Sequence, residues 1–269
     1  MTENSSIAEI VIVGGGNMGT ALLAGLLDSG RYEPAAIVVA EVVADRRAVL
    51  AEQFREVAVV EEVPPCESAV IAVKPGDVAA AAATVARAGA TRILSIAAGV
   101  RLDTLTAAVE GSDHRVALFR AMPNTPALVG KGASALAAGE GTDETDLDWA
   151  TEVLSAVGTV DRLGEHALDA FTGVAGSGPA YLFLVAEAMI DAAVGEGLPR
   201  TMAERVVGQL FVGSAALLER DGDPARLRAM VTSPGGTTAA GVRELEERAI
   251  RAAFADAVRA ATSRSRELG

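Results

Sequence analysis

Val11-Ile12-Val13 runs without a break into Gly14-Gly15-Gly16-Asn17-Met18-Gly19 and on into the apolar stretch Ala21-Leu27. A strand delivered into G-x-G-x-x-G and then into a helix leaves few architectures open, because each glycine answers a separate steric demand. Gly14 permits a tight turn, Gly16 removes the side chain that would block a pyrophosphate, and Gly19 lets the helix approach the sheet. Free N–H groups at the helix start then receive phosphate oxygens. The segment predicts the first βα unit of a dinucleotide-binding domain, with Val13, Gly14, Gly15, Gly16, Asn17, Met18 and Gly19 against the dinucleotide.

The rest of the chain extends that unit. Strand-like runs at Glu9-Val13, Ala36-Ala40, Ser68-Val73, Arg92-Ala97, Arg115-Arg120 and Gly132-Ala137 alternate with helical stretches Asn17-Asp28, Ala44-Gln53, Gly76-Ala88, Leu102-Glu110 and Glu144-Ala156. The strands are apolar almost throughout, as strands covered on both faces are. The expectation is an α/β fold, a Rossmann-like, doubly wound, largely parallel sheet over residues 1–163. After Leu163 the strand signal stops, so an all-helical C-terminal domain is expected over residues 164–269. Gly176-Ser177-Gly178-Pro179 reads as a capped helix start, with Ser177 capping and Pro179 near the first turn.

Composition narrows the partners. Lys and Arg number 23 against 36 Asp and Glu, a net charge of −13, which lacks the basic footprint of a nucleic-acid binder. Cys66 is the single cysteine and His114 and His166 are the only histidines, so Cys/His metal frameworks and an intrachain disulfide are not expected. No unbroken apolar run approaches the roughly 18 residues of a membrane span, and the chain reads as cytoplasmic. The long segments Thr201-Glu219 and Arg248-Arg266 carry apolar positions at helical spacing with too few partners nearby to cover them, which predicts self-association.

The end of the second strand leaves the cofactor open. A carboxylate there bonds a ribose 2′-hydroxyl, whereas a nearby arginine accommodates a 2′-phosphate. Glu41 suits NADH, while Arg46 and Arg47 one turn on suit NADPH.

Four further segments, with the glycine loop, resemble the pyrroline-5-carboxylate reductase family: Ala72-Val73-Lys74-Pro75, Ser95-Ile96-Ala97-Ala98-Gly99, Arg120-Ala121-Met122-Pro123-Asn124-Thr125-Pro126 and Thr232-Ser233-Pro234-Gly235-Gly236-Thr237-Thr238. Gly176-Ser177-Gly178-Pro179-Ala180-Tyr181 adds a fifth. The resemblance implies hydride transfer from NADPH or NADH to the C=N carbon of 1-pyrroline-5-carboxylate, giving L-proline in the last step of proline biosynthesis. It also implies an intertwined dimer or larger homo-oligomer, each site combining the cofactor domain of one subunit with the helical domain of a neighbour.

On this reading Ala72, Val73, Lys74 and Pro75 end one strand, and Ala97, Ala98 and Gly99 end the next, to floor the nicotinamide site. Lys74 either reaches the cofactor or is solvated. Asn124 either orients the nicotinamide or simply forms a turn between two prolines. Ser233, Gly235, Gly236 and Thr237 offer converging N–H groups to the substrate carboxylate, and the Thr238 hydroxyl is the catalytic group at the imine nitrogen. The plainer reading makes Ser233 an N-cap and Pro234 the first helical residue. Two rivals remain. A β-hydroxyacid dehydrogenase would want a catalytic lysine, which Ala180-Val194 lacks, and a nucleotide-sensing module would have no use for Ser233–Thr238.

Overall fold

A computed structural model describes residues 7–269. Its strands are β1 (Ala8–Val13), β2 (Ile37–Ala40), β3 (Ala58–Val60), β4 (Cys66–Ile71), β5 (Arg92–Ser95), β6 (Ala117–Met122), β7 (Gly132–Ala138) and β8 (Gly158–Arg162). The helices over the sheet are α1 (Asn17–Asp28), α2 (Ala44–Gln53), α3 (Val78–Arg87), α4 (Leu102–Val109), α5 (Glu144–Ser155) and α6 (Leu168–Phe171). They are followed by α7 (Gly178–Gly195), α8 (Arg200–Asp221), α9 (Pro224–Met230), α10 (Thr237–Glu247) and α11 (Ile250–Leu268).

The strands form one sheet in the order β3-β2-β1-β4-β5-β6-β7-β8. Every pairing is parallel except β6 with β7, where Ala121 faces Leu136 in antiparallel register. The chain steps from β1 to β2 on one side and later to β4 on the other, so the loop after β1 lies at the topological switch where such sheets bind ligands. Along β1, alternate residues enter opposite layers: Ile10 and Ile12 join Leu22, Phe119 and Trp149, while Val11 and Val13 join Ile71, Val85 and Ile93. Trp149 satisfies its indole N–H on the Tyr32 hydroxyl at 3.1 Å, as a buried polar tip must.

The expected doubly wound sheet is present, with two strands that the sequence pattern did not mark. Ala58–Val60 is only three residues long, and Gly158–Arg162 is a half-exposed outer strand whose charged residues mask its periodicity. The strands do stop near Leu163, but the compact units divide later. The described residues up to Ser177, with Ala260–Gly269, form one unit, and Gly178–Arg259 form the other. The cause is packing: Leu168 is fully buried in the sheet's core, Phe171 packs on it, and Ser265 donates to the Asp169 carboxylate at 2.8 Å.

The expected helix start at Ser177 is a correction. The chain is already helical from Glu165 and continues to Gly195, passing through a wider, five-residue turn at Thr172–Gly176 in which the Ser177 N–H reaches the Thr172 carbonyl at 2.9 Å. Pro179 has no N–H for the Ala175 carbonyl four residues earlier, and the wider turn takes up that break. By length and composition this run is also apolar enough to cross a bilayer, and few of its residues are buried. In the second unit none of α7 is buried, and only Ala203 and Val207 are buried on α8.

Candidate active site

The carboxyl ends of β1, β2 and β4 are tied to one another. Gly14 N–H donates to the Ala40 carbonyl and Ala72 N–H to the Val13 carbonyl, each at 2.8 Å. Gly14 has φ +102°, and a Cβ there would lie 2.7 Å from the Ala72 carbonyl oxygen, so only glycine fits. Gly19 is required by the loop as much as by the sheet, because its Cβ would lie within the Gly14 carbonyl and 3.4 Å from Ala72. Gly16 differs. A Cβ there would meet nothing within 4 Å, although Gly16 caps α1 with no side chain bonding the first-turn N–H groups. Open space facing unpaired donors fits a pyrophosphate. Asn17 and Met18 open α1 directly behind it.

Glu41 is buried where β2 ends. One carboxylate oxygen accepts from Gly15 N–H and the other from Val43 N–H, each at 2.8 Å. Arg46 donates to the Gly15 carbonyl at 2.5 Å and to the Thr20 hydroxyl at 2.7 Å. Arg47 donates to the Glu41 and Val42 carbonyls and to Glu61 at 2.8 Å. Beside them a cleft of about 550 Å³ opens between Val13, Val42, Val63, Val73, Ala81 and Thr84, sized for an adenosine. A larger hollow, bounded by Leu27, Phe54 and Val57, lies at the far end of α1 and shares none of these residues.

Ala72 and Val73 are half-buried, and Lys74 and Pro75 are exposed at the start of a short turn, Pro75–Asp77. Ala97 is buried and Ala98 exposed. Gly99 has φ +77°, and the end of α11 comes against it: a Cβ would lie 3.0 Å from the Leu268 carbonyl, and Arg101 donates to Gly269 at 3.0 Å. No local signal announces that contact, since the partners are far apart in sequence. Asn124 uses both ends of its amide on backbone, donating to the Ala175 carbonyl at 3.0 Å and accepting from Ala133 N–H at 2.9 Å. The carbonyl that Pro179 leaves unmet is therefore met by Asn124. In the same motif, Arg120 is buried and paired with Glu165 at 2.9 Å, and that carboxylate also accepts from Leu102 N–H. Cys66 is buried, and loss of solvent pushes its thiol up to about 11, which removes it as a nucleophile at neutral pH.

In the second unit, Ser233, Pro234, Gly235 and Gly236 form a turn closed by Gly236 N–H on the Ser233 carbonyl at 3.0 Å, with Gly235 at φ +70°. Proline followed by a left-handed glycine is the sequence a type II turn demands. The cap of α10 is Gly236, with no side-chain hydrogen bond, so Ser233 is not the N-cap and Pro234 is not the first helical residue. The turn carries the chain one step further before the helix begins. Thr237 and Thr238 are then the first two residues of α10, and both are exposed. Backbone donors without a capping side chain, beside a free hydroxyl, can hold a carboxylate and one further polar atom.

Comparison with known proteins finds matches at both ends of the chain. Residues 165–268 match the family model described as pyrroline-5-carboxylate reductase dimerisation, and residues 9–99 match one described as NADP oxidoreductase, coenzyme F420-dependent. A pyrroline-5-carboxylate reductase from Synechocystis sp. is 42% identical over 97% of this chain and 98% of its own length. The solved structure of a pyrroline-5-carboxylate reductase from Coxiella burnetii matches with a TM-score of 0.89 at 31% identity, over 98% of this chain and 99% of that one. A Plasmodium falciparum pyrroline carboxylate reductase solved with NADP bound matches with a TM-score of 0.82 at 25% identity, over 98% of this chain and 100% of that one. On identity, coverage and fold together, this chain belongs to the pyrroline-5-carboxylate reductase family.

Proposed function

We infer that the chain is a pyrroline-5-carboxylate reductase that uses NADH or NADPH to form L-proline and works as a homo-oligomer. The observation that carries the residue-level reading is a complementary pair of open backbone donor sets: the first turn of α1 behind Gly16, and the first turn of α10 behind Gly236. The first suits a pyrophosphate and the second a small carboxylate. Val13, Gly14–Gly19 and the strand ends at Ala72–Pro75 and Ala97–Gly99 form the dinucleotide site. Asn124 serves it by holding its own loop against the wide turn at Thr172–Gly176.

The reduced nicotinamide supplies the hydride. The N–H groups of Gly235, Thr237 and Thr238 hold the substrate carboxylate, with the turn from Ser233 to Gly236 shaping their approach. The Thr238 hydroxyl hydrogen-bonds the imine nitrogen. As hydride adds to the imine carbon, the C=N π pair withdraws onto that nitrogen, and an oriented hydroxyl there stabilises the amine that forms. A protonated imine already carries the proton, so catalysis is mainly orientation. The charge of −13 opposes anionic ligands at long range, and the local donor sets must overcome it. Cytoplasmic location belongs to the same reading, supported by one buried, free thiol. A second copy covering α7 and α8 accounts for the long apolar run without a membrane.

The test is direct. Purified protein with the cyclic imine should oxidise reduced nicotinamide and release proline in equal amounts. No oxidation with either dinucleotide overturns the proposal.

A further inference from the structure

We infer that the ribose corner of the cleft selects a dinucleotide with a free 2′-hydroxyl, taking NADH in preference to NADPH. This deepens, and rests on, the reading of Gly14–Gly19 as the dinucleotide loop.

Glu41 is 9% exposed and is fixed by two backbone donors, one from the glycine loop itself. A carboxylate has about four acceptor positions, so two remain after Gly15 and Val43 are bonded. That leaves acceptors for a ribose hydroxyl at the place where this fold puts one. A 2′-phosphate has no hydrogen to donate there and brings further negative charge against a carboxylate that cannot turn away.

The arginines do not offset this. Arg46 points under the loop, onto the Gly15 carbonyl and the Thr20 hydroxyl at the start of α1. Arg47 is held by two carbonyls and neutralised by Glu61. The charged residues lining the cleft are Glu61, Glu62 and Asp77, and among the described residues no Lys or Arg lines it. A doubly charged phosphate would meet the carboxylates of Glu41, Glu62 and Asp77, while the Arg46 guanidinium is turned onto the Gly15 carbonyl and the Thr20 hydroxyl.

Calorimetric titration of the full-length protein with NADH, NADPH, AMP and adenosine 2′,5′-bisphosphate reads the preference without turnover. NADH should bind about tenfold or more tightly than NADPH, and AMP should be favoured over adenosine 2′,5′-bisphosphate in the same direction. Glu41→Gln should shrink the ratio by improving NADPH, and added salt should shrink it in the wild type. NADPH binding as tightly as NADH to the wild type overturns the inference whatever the variant does. An unchanged ratio in a folded Glu41→Gln protein overturns the role of Glu41. Failure of both dinucleotides to bind overturns the loop reading instead.

Discussion

Leu22, Leu23 and Leu26 on α1 are fully buried, whereas Leu182, Phe183 and Leu184 on α7 are 53%, 65% and 66% exposed within one chain. The sheet unit closes its core with its own residues, on both faces of the sheet. The helical unit cannot, because helices with apolar residues around their circumference need more neighbours than Gly178–Arg259 provide. Each such side chain contributes about 1.5–3 kcal/mol once covered. The contrast teaches where assembly is encoded: the first unit buries its core within one chain, and the second presents the exposed apolar surface, in the span that matches the dimerisation model.

The contrast breaks most visibly at α7. Phe183→Asp with Leu184→Asp should dissociate the oligomer in sedimentation velocity and lower the unfolding temperature, while dinucleotide binding by the sheet unit survives. Unchanged assembly would remove the covering copy from the account. Within the sheet unit, Gly16→Val should cost less than about 1 kcal/mol of stability, since its side chain meets open space, yet weaken dinucleotide binding about a hundredfold. Gly14→Ala should instead cost about 1–3 kcal/mol, because it forces a left-handed alanine against the Ala72 carbonyl. Parallel denaturant and binding titrations separate the two glycines. Asn124→Ala strands the Ala175 carbonyl and the Ala133 N–H and should cost about 2 kcal/mol in urea unfolding, with little effect on assembly.

The smallest effect concerns acid. Burial pulls the Asp146 carboxyl up, but hydrogen bonds from Arg92, Arg115 and the Asp143 N–H outweigh it and hold it below the ordinary range. A carboxyl depressed in the folded state contributes stability above its unfolded value, about 3.9, and loses it as pH falls through the folded value. Acid unfolding of the sheet unit should therefore steepen below about pH 4, and Asp146→Asn should flatten that dependence. An identical acid profile in the variant contradicts the assignment.

What could be read from sequence followed from locality. The strand–loop–helix of Val11–Leu27 announces itself because glycine spacing and apolar runs are consecutive, and the sheet follows from their alternation. β8 escaped because Asp161 and Arg162 interrupt its apolar pattern on an outer strand. Ser177 and Pro179 looked like a helix start because a cap and an N1 proline have the same local spelling as a wide turn absorbing a proline. Asn124 and Gly99 owe their roles to Ala175 and Leu268, which only the folded chain brings near. At Glu41, Arg46 and Arg47 the positions were legible but the directions were not, and direction decides which charge faces the ribose.

The proposed division of labour, cofactor on one unit and substrate on the other, meets its most direct test at Thr238. In Thr238→Ala, dinucleotide affinity should match the wild type while kcat/KM for the cyclic imine falls by about one order of magnitude or more, the loss of one transition-state hydrogen bond. Equal turnover in the two proteins, or loss of dinucleotide binding along with turnover, would contradict the role proposed for Thr238.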